Sequence, residues 1–102
     1  MDKINLLKSY LKETPNDPFL HFALAKEYEN VGELETAIEK YEYLIQTHTD
    51  YVGTYYHAGK IYEKVLNFDR AKECYDLGLE QAYKVGDRHS ASELEEAKSM
   101  LE

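Results

Sequence analysis

Residues 17–50, DPFLHFALAKEYENVGELETAIEKYEYLIQTHTD, align without a gap over residues 51–84, YVGTYYHAGKIYEKVLNFDRAKECYDLGLEQAYK, and this match decides the fold. Seven of the 34 aligned positions are identical: Lys26/Lys60, Tyr28/Tyr62, Glu29/Glu63, Val31/Val65, Ala37/Ala71, Glu39/Glu73 and Tyr41/Tyr75. A fixed period of about 34 residues is typical of helix–turn–helix units that stack in an array. Such proteins usually work by offering a surface. The repeat therefore predicts a mode of action but names no partner.

Six helices and no strand are predicted from the rest of the pattern. Apolar residues recur at spacings of three and four within each segment, and the only two prolines, Pro15 and Pro18, stand between the first two segments. The predicted helices span residues 2–13, 18–30, 34–47, 51–65, 68–84 and 88–101. The residues predicted to cap or end them are Asp2, Asp17, Asp50, Asn67 or Asp69, Gly32 and Gly86.

The repeated signature has enough residues to indicate a family. It reads Leu24, Ala25, Tyr28, Gly32, Ala37, Tyr41 and Leu44 in the first unit, and Tyr55, Ala58, Gly59, Tyr62, Ala71, Tyr75 and Gly78 in the second. This signature resembles the tetratricopeptide repeat (TPR). The resemblance implies an all-α fold, a short α-solenoid of antiparallel helix hairpins, as a single domain over residues 1–102. Its parts would be a capping half repeat at 2–16, repeat 1 at 17–50, repeat 2 at 51–85 and a C-terminal capping helix at 86–102.

Particular positions of the repeat carry structural expectations. Small residues at Ala25/Gly59 and Ala37/Ala71 let two helix backbones approach closely, and the large tyrosines at 28/62 and 41/75 fill space between hairpins. Two departures from the family pattern stand out. Leu66 replaces the glycine of the turn, and Thr49 and Tyr83 replace the proline that ends a repeat, so the helix after Asn67 is predicted to run longer than usual.

Composition excludes several classes of partner. Twenty acidic against 12 basic residues give a formal charge of −8, whereas nucleic acids and anionic membranes attract basic surfaces. No apolar run approaches the roughly 20 residues that span a bilayer, and the N-terminal residues lack a signal-peptide core. One cysteine, Cys74, cannot form an internal disulfide. These features predict a cytoplasmic protein that binds neither nucleic acid nor membrane.

No constellation in the sequence suggests catalysis, a metal or a cofactor. The four histidines, His21, His48, His57 and His89, do not pair at ligand spacings of three or four. Cys74 lies near Glu73 and Asp76, which would raise a thiol pKa, and a small core residue is its simplest interpretation. The sequence therefore predicts no catalytic residue, no metal site and no cofactor.

A binding face follows from the resemblance, because the first helix of each TPR hairpin lines a concave groove that takes extended peptides. The groove residues it implies here are Phe19, Phe22, Lys26, Asn30, Tyr56, His57, Lys60 and Lys64. His57, Lys60 and Lys64 share a helix face, and a basic row beside aromatic rings suits a ligand with an acidic side chain or a C-terminal carboxylate. A solvated helix surface explains the same lysines. Whether the last helix occupies the groove is left open.

Three hypotheses for function remain at this point. The first is a non-catalytic adaptor that binds a protein or peptide segment in the groove. The second is a structural module that self-associates, as a homodimer or larger homo-oligomer, through an exposed stacking face of a terminal helix. The third, an enzyme that uses scattered His and Glu residues, has no supporting motif, so the sequence predicts that the protein is not an enzyme.

Overall fold

The computed structural model describes residues 2–102, and these residues form six α-helices. The helices are α1 (Lys3–Glu13), α2 (Pro18–Asn30), α3 (Leu34–Thr47), α4 (Gly53–Lys64), α5 (Phe68–Val85) and α6 (Arg88–Ser99). No strand occurs within this described part of the chain. The predicted all-α class and the six predicted segments are confirmed.

The chain divides into two compact units, the first ending at His48 and the second running Thr49–Glu102. In the first unit α2 packs against both α1 and α3, and in the second α4, α5 and α6 all pack on one another. The division falls close to the predicted boundary between repeats 1 and 2. The assignment of residues 1–102 to a single domain stays a prediction.

Side-chain caps begin four of the helices. The carboxylates of Asp2, Asp17 and Asp87 accept hydrogen bonds from backbone N–H groups of the first helical turn at 2.8, 2.9 and 3.0 Å, and the Asn67 amide oxygen does so at 3.2 Å. Each cap satisfies a donor that the helix leaves unpaired. The caps predicted at Asp2, Asp17 and Asn67 are confirmed.

The predicted cap at Asp50 is wrong. Helix α4 begins at Gly53, and its N-cap residue, Val52, makes no side-chain cap bond. The backbone first forms a tight turn in which the N–H of Thr54 bonds to the carbonyl of Tyr51 at 3.2 Å. This turn delays the helix and leaves Asp50 outside its first turn.

Helix α5 is longer than its counterpart, as the missing proline predicts. It has 18 residues against 14 in α3, and it continues to Gly86, which adopts φ +70° and ends the helix in the left-handed region. Gly86 and Asp87 donate backbone hydrogen bonds to the carbonyls of the last helical turn. The extra turn carries Tyr83 and Val85, both more than half exposed.

The small positions of the repeat are buried as predicted. Ala25, Ala37 and Ala71 are fully buried and Gly59 is buried in α4. Among the four repeat tyrosines, Tyr41, Tyr62 and Tyr75 are buried, whereas Tyr28 is half-buried. Cys74 is also fully buried, so its interpretation as a core residue is confirmed.

A tyrosine–glutamate hydrogen bond closes each helix pair that forms a hairpin. The Tyr41 hydroxyl donates to Glu29 at 3.0 Å between α3 and α2, and the Tyr75 hydroxyl donates to Glu63 between α5 and α4. These pairs occupy matching repeat positions, and all four residues belong to the seven identities. Burial comes first, and the neighbouring carboxylate second, among the causes that raise the pKa of Tyr41 well above its ordinary value. Tyr75 has its pKa raised by burial and by its hydrogen bond to Glu63.

Leu66 is the point at which the second turn departs from the first. It adopts φ +63°, a conformation that Gly32 provides in the first turn at φ +84°. A side chain larger than glycine costs about 1 kcal/mol in this region. The Leu66 side chain is also 74% exposed, so its removal leaves no cavity.

We therefore expect Leu66→Gly to raise the free energy of unfolding by about 1 kcal/mol. The measurement is urea denaturation followed by circular dichroism. Gly32→Ala is the converse control: nothing lies within 4 Å of an added Cβ, so strain alone should lower stability by a similar amount. A Leu66→Gly protein that is less stable than the wild type would contradict the strain argument.

Candidate functional site

Three of the predicted groove residues line one hollow in the first unit. This N-terminal hollow, about 440 Å3, lies between α1 and α2. Its walls are mostly apolar. The residues that line it are Lys3, Leu6, Leu7, Phe19, Phe22, Ala23, Lys26 and Glu27.

The exposure of the rings makes the N-terminal hollow accessible. Phe19 is 61% exposed and Leu6 38%, whereas Phe22 is half-buried and lies 6.3 Å, centroid to centroid, from the Tyr41 ring. Phe19 is held at the helix start because its N–H donates to the Asp17 cap. An apolar side chain of a ligand could therefore contact two aromatic rings that the helix keeps in place.

Charge at the rim of the N-terminal hollow is mixed but mainly positive. Lys3 and Lys26 stand against the single carboxylate of Glu27. The Lys3 Nζ is 3.9 Å from a Glu27 oxygen, and the amide of Asn30 donates to the same carboxylate at 3.4 Å. Asn30, although predicted for the groove, thus lies outside the hollow and contacts its rim residue.

Predicted groove residues of the second unit line two smaller hollows between α4 and α6. The first, about 210 Å3, includes Tyr56 and His57 together with Ser90 and Glu93. The second, about 220 Å3, we call the acidic hollow. It is lined by Tyr56, Lys60, Glu93, Glu96, Ala97 and Met100. Lys64, the last predicted residue, is exposed and lines neither.

The acidic hollow places carboxylates beside the predicted basic row. The Lys60 Nζ lies 3.8 Å from Glu63 and 5.5 Å from the centroid of the Tyr56 ring, and Glu93 and Glu96 come from α6. The Tyr56 ring also makes an edge contact with His57 at 5.6 Å. An acidic ligand group would meet repulsion here, because like charges in contact are unfavourable.

The position of α6 follows from its own anchors in the second unit. Its apolar residues Ala91, Leu94 and Ala97 are buried, and its Lys98 Nζ lies 2.7 Å from Asp76 of α5. The hydrogen bond to Asp76 raises the pKa of Lys98. Helix α6 thus borders the α4 face rather than closing over it, and both hollows stay open.

Several residues that line the hollows are not predicted by the sequence pattern. Lys3, Leu6 and Leu7 line the N-terminal hollow, and Glu93, Glu96 and Met100 line the acidic hollow. The signal was present: the latter three residues step by three and four and so share a helix face. This spacing does not predict a site, because the pattern of one helix does not reveal which other helix that face lies against.

No group of three or more potential metal ligands is found in residues 2–102. No helix in that range is long and apolar enough to cross a bilayer. The buried hydroxyl of Thr54 in α4 has no hydrogen-bond partner among residues 2–102.

Solved structures similar to this chain identify its family. A solution structure of a tetratricopeptide repeat domain protein from Salinibacter ruber is 42% identical, with a TM-score of 0.83 over 86% of this chain and 89% of that one. The chain belongs to the tetratricopeptide repeat family. A crystal structure of a TPR domain protein from the same organism agrees, with 41% identity and a TM-score of 0.80 over 84% of this chain and 96% of that one.

A more distant structure supports the fold alone. A solution structure of a protein from Bordetella parapertussis is 20% identical, with a TM-score of 0.83 over 99% of this chain and 88% of that one. No protein-family model matches the chain, and a search of curated proteins finds no match either. The predicted TPR resemblance and the predicted class, an all-α solenoid of helix hairpins, are confirmed by the structural matches.

Membership of the TPR family supports a general function. The family consists of protein-interaction modules that are typically non-catalytic, and the partners expected for this chain are therefore proteins. Family membership does not identify the bound segment or the residues that bind it.

Proposed function

We propose that this TPR protein is a non-catalytic adaptor that binds an extended protein segment on the faces of its first helices. The observation that supports the proposal is the N-terminal hollow, which Phe19, Phe22 and Lys26 line together. Open apolar pockets with a few polar groups at the rim are the usual form of a binding site. A cytoplasmic location stays a prediction.

The chemistry of the hollow selects the kind of segment. Its apolar wall suits a bulky apolar side chain, and the rim lysines Lys3 and Lys26 suit a carboxylate one or two residues away. The acidic hollow gives no such selection, because Glu63, Glu93 and Glu96 surround Lys60. The ligand carboxylate is therefore assigned to Lys26, and Tyr56, His57 and Lys60 are assigned apolar and polar contacts within the second unit.

The test uses synthetic 12-residue peptides with a central Leu or Phe. One series has Asp or Glu beside the apolar residue, a second has Asn or Gln there, and a third places the only carboxylate at the C-terminus. Binding is measured by fluorescence anisotropy, and the site is located by amide chemical-shift changes in the 15N-labelled protein. We expect the first or third series to bind and to shift amides of α1 and α2.

We expect Lys26→Glu to weaken that binding about tenfold or more, because it replaces an attractive charge with a repulsive one worth over about 1.4 kcal/mol. Lys40→Glu on α3 makes the same charge change and should leave affinity unaltered. Phe22→Ala should weaken all series alike, since it removes apolar contact. Equal binding by the acidic and neutral series, or by wild type and Lys26→Glu, would overturn the assignment of the carboxylate.

A further inference from the structure

Helix α1 carries a second apolar stripe that nothing in its unit covers. Ile4, Leu7 and Leu11 are half-buried, and α1 packs mainly against α2. Leu6 and Tyr10, four residues apart and so on one face, are 38% and 48% exposed. No residue of α1 is fully buried.

The repeat alignment shows how the positions equivalent to Tyr10 are covered elsewhere in the chain. Tyr10 lies 34 residues before Leu44 and 68 before Gly78, and both of those are buried. In the second unit a Cβ on Gly78 would come within 2.5 Å of Tyr55 of α4, so this position contacts the first helix of its own hairpin. Among the described residues no helix covers Tyr10 in this way, and its side chain is 48% exposed.

The other end of the chain has an open hollow of its own. This C-terminal hollow, about 460 Å3, lies between the extended end of α5 and the start of α6. Small residues form its floor, at Ala82, Gly86, Ala91 and Ser92. Tyr83, 63% exposed, stands at its edge and donates a hydrogen bond to Glu95 at 2.7 Å.

The charges of the two ends indicate which surface of one copy could occupy the C-terminal hollow of another. Residues 2–13 carry three lysines and two acidic residues, whereas residues 87–102 carry five acidic residues and two basic ones. Residues 2–13 therefore carry a net charge of +1 (three minus two) and residues 87–102 one of −3 (two minus five), so two C-terminal segments would repel each other. An α1 helix and an α6 helix attract, and electrostatic complementarity of this kind selects partners and their orientation.

We propose that the protein associates head to tail with a second copy of itself, the Leu6–Tyr10 stripe of α1 in one copy occupying the C-terminal hollow of the next. A large side chain on one helix then enters a hollow lined by small residues on the other. The two contacting surfaces differ, the α1 stripe in one copy and the C-terminal hollow in the other, so the interface is heterologous. Each complex therefore keeps one unoccupied α1 stripe and one unoccupied hollow. Association therefore continues to longer oligomers as concentration rises.

Two variants block one face each and leave the proposed peptide hollow intact. Tyr10→Glu places a negative charge on the α1 stripe, where it would meet the acidic end of the partner. Ser92→Arg places a bulky basic side chain in the C-terminal hollow, where it would meet the lysines of α1. Both native side chains are exposed, so we expect folding to be preserved. The matched controls are Leu77→Glu on α5, 37% exposed in the native protein, and Ser99→Arg on α6.

Sedimentation velocity from micromolar to millimolar concentration tests the proposal. We expect the wild type and both controls to increase in mass with concentration, and each blocked variant alone to stay monomeric. An equimolar mixture of Tyr10→Glu and Ser92→Arg should form a dimer, because it restores one intact interface. Circular dichroism confirms that each variant is folded, and Tyr10→Ser and Ser92→Lys replace any that is not.

Three outcomes would overturn the proposal. The wild type could stay monomeric at every concentration. Ser92→Arg could associate as the wild type does, which would indicate pairing of like α1 faces. The mixture could fail to form a dimer although the wild type associates. Tyr10 and Ser92 do not line the N-terminal hollow, so neither substitution removes a residue of the proposed peptide site, although Leu6 of the α1 stripe lines that hollow as well.

Discussion

Gly59→Ala is expected to lower the free energy of unfolding by about 3 kcal/mol, because a single methyl group would collide with a buried ring. A Cβ on Gly59 would lie 2.1 Å from Cε1 and 2.5 Å from Cζ of Tyr75. The Tyr75 ring is fully buried and its hydroxyl is held by Glu63, so it cannot turn aside. The gain of about 1 kcal/mol in helix propensity does not offset this collision.

The same helix supplies the control for this substitution. Gly53 begins α4, and the nearest atom to an added Cβ is a ring carbon of Tyr51 at 4.0 Å. Gly53→Ala should therefore leave stability unchanged or raise it. Thermal and urea denaturation of the two variants give the comparison, and Gly59→Ala/Tyr75→Leu completes a double-mutant cycle. If Gly59→Ala were as stable as Gly53→Ala, the close approach of α4 and α5 at this point would be disproved.

Alkaline pH is expected to destabilise the protein steeply, through Tyr41 and Tyr75. Both hydroxyls have a raised pKa in the folded protein, caused first by burial and then by the carboxylates of Glu29 and Glu63. The unfolded chain releases these protons near the ordinary value of 10.0. Above that pH the folded state binds more protons than the unfolded state, so the free energy of unfolding falls as pH rises.

The expected slope is about 1.4 kcal/mol per pH unit for each tyrosine, or about 2.7 kcal/mol for the two, from pH 10 upward. Below pH 10 their contribution is fully present and constant. Urea denaturation at pH 8, 9, 10, 10.5 and 11 measures the slope. Tyr75→Phe should lower the slope by its own share, about 1.4 kcal/mol per pH unit, while costing about 1–3 kcal/mol at pH 8, since the hydrogen bond to Glu63 is lost.

An exposed tyrosine provides the control for the alkaline slope. The hydrogen bond to Glu95 raises the pKa of Tyr83, but its side chain is 63% exposed, so solvent screening leaves this shift little effect on stability. Tyr83→Phe should therefore leave the steep slope in place. An identical slope in wild type and Tyr75→Phe would show that the buried hydroxyls are not the cause.

Most of the helical architecture could be predicted from the sequence, because it depends on local rules. Helical spacing of apolar residues, caps such as Asp2 and Asn67, and the stop at Gly86 act within a turn or two of the chain. The exception is the start of α4. Asp50 is a residue type that commonly caps helices, but the turn at Tyr51 and Val52 moves the start of α4 to Gly53.

The candidate site could be predicted only on its first-helix side. Phe19, Phe22 and Lys26 follow from their repeat positions, and the structure brings these three together. Their neighbours on α1 could not be predicted, because α1 has no aligned first helix that would reveal its orientation. Likewise, the sequence shows a basic row at Lys60 but not the α6 carboxylates that line the same hollow.

The family, the six helices and the buried small positions follow from the amino-acid sequence, because the repeat of 34 residues places the same residue types at the same packing positions twice. Which surfaces remain open depends on how the helices pack together. The stripe at Leu6 and Tyr10, the hollow at Ala91 and the carboxylates near Lys60 each depend on how one helix packs against another. Burial is a property of that assembled packing, and periodicity along one helix cannot determine it.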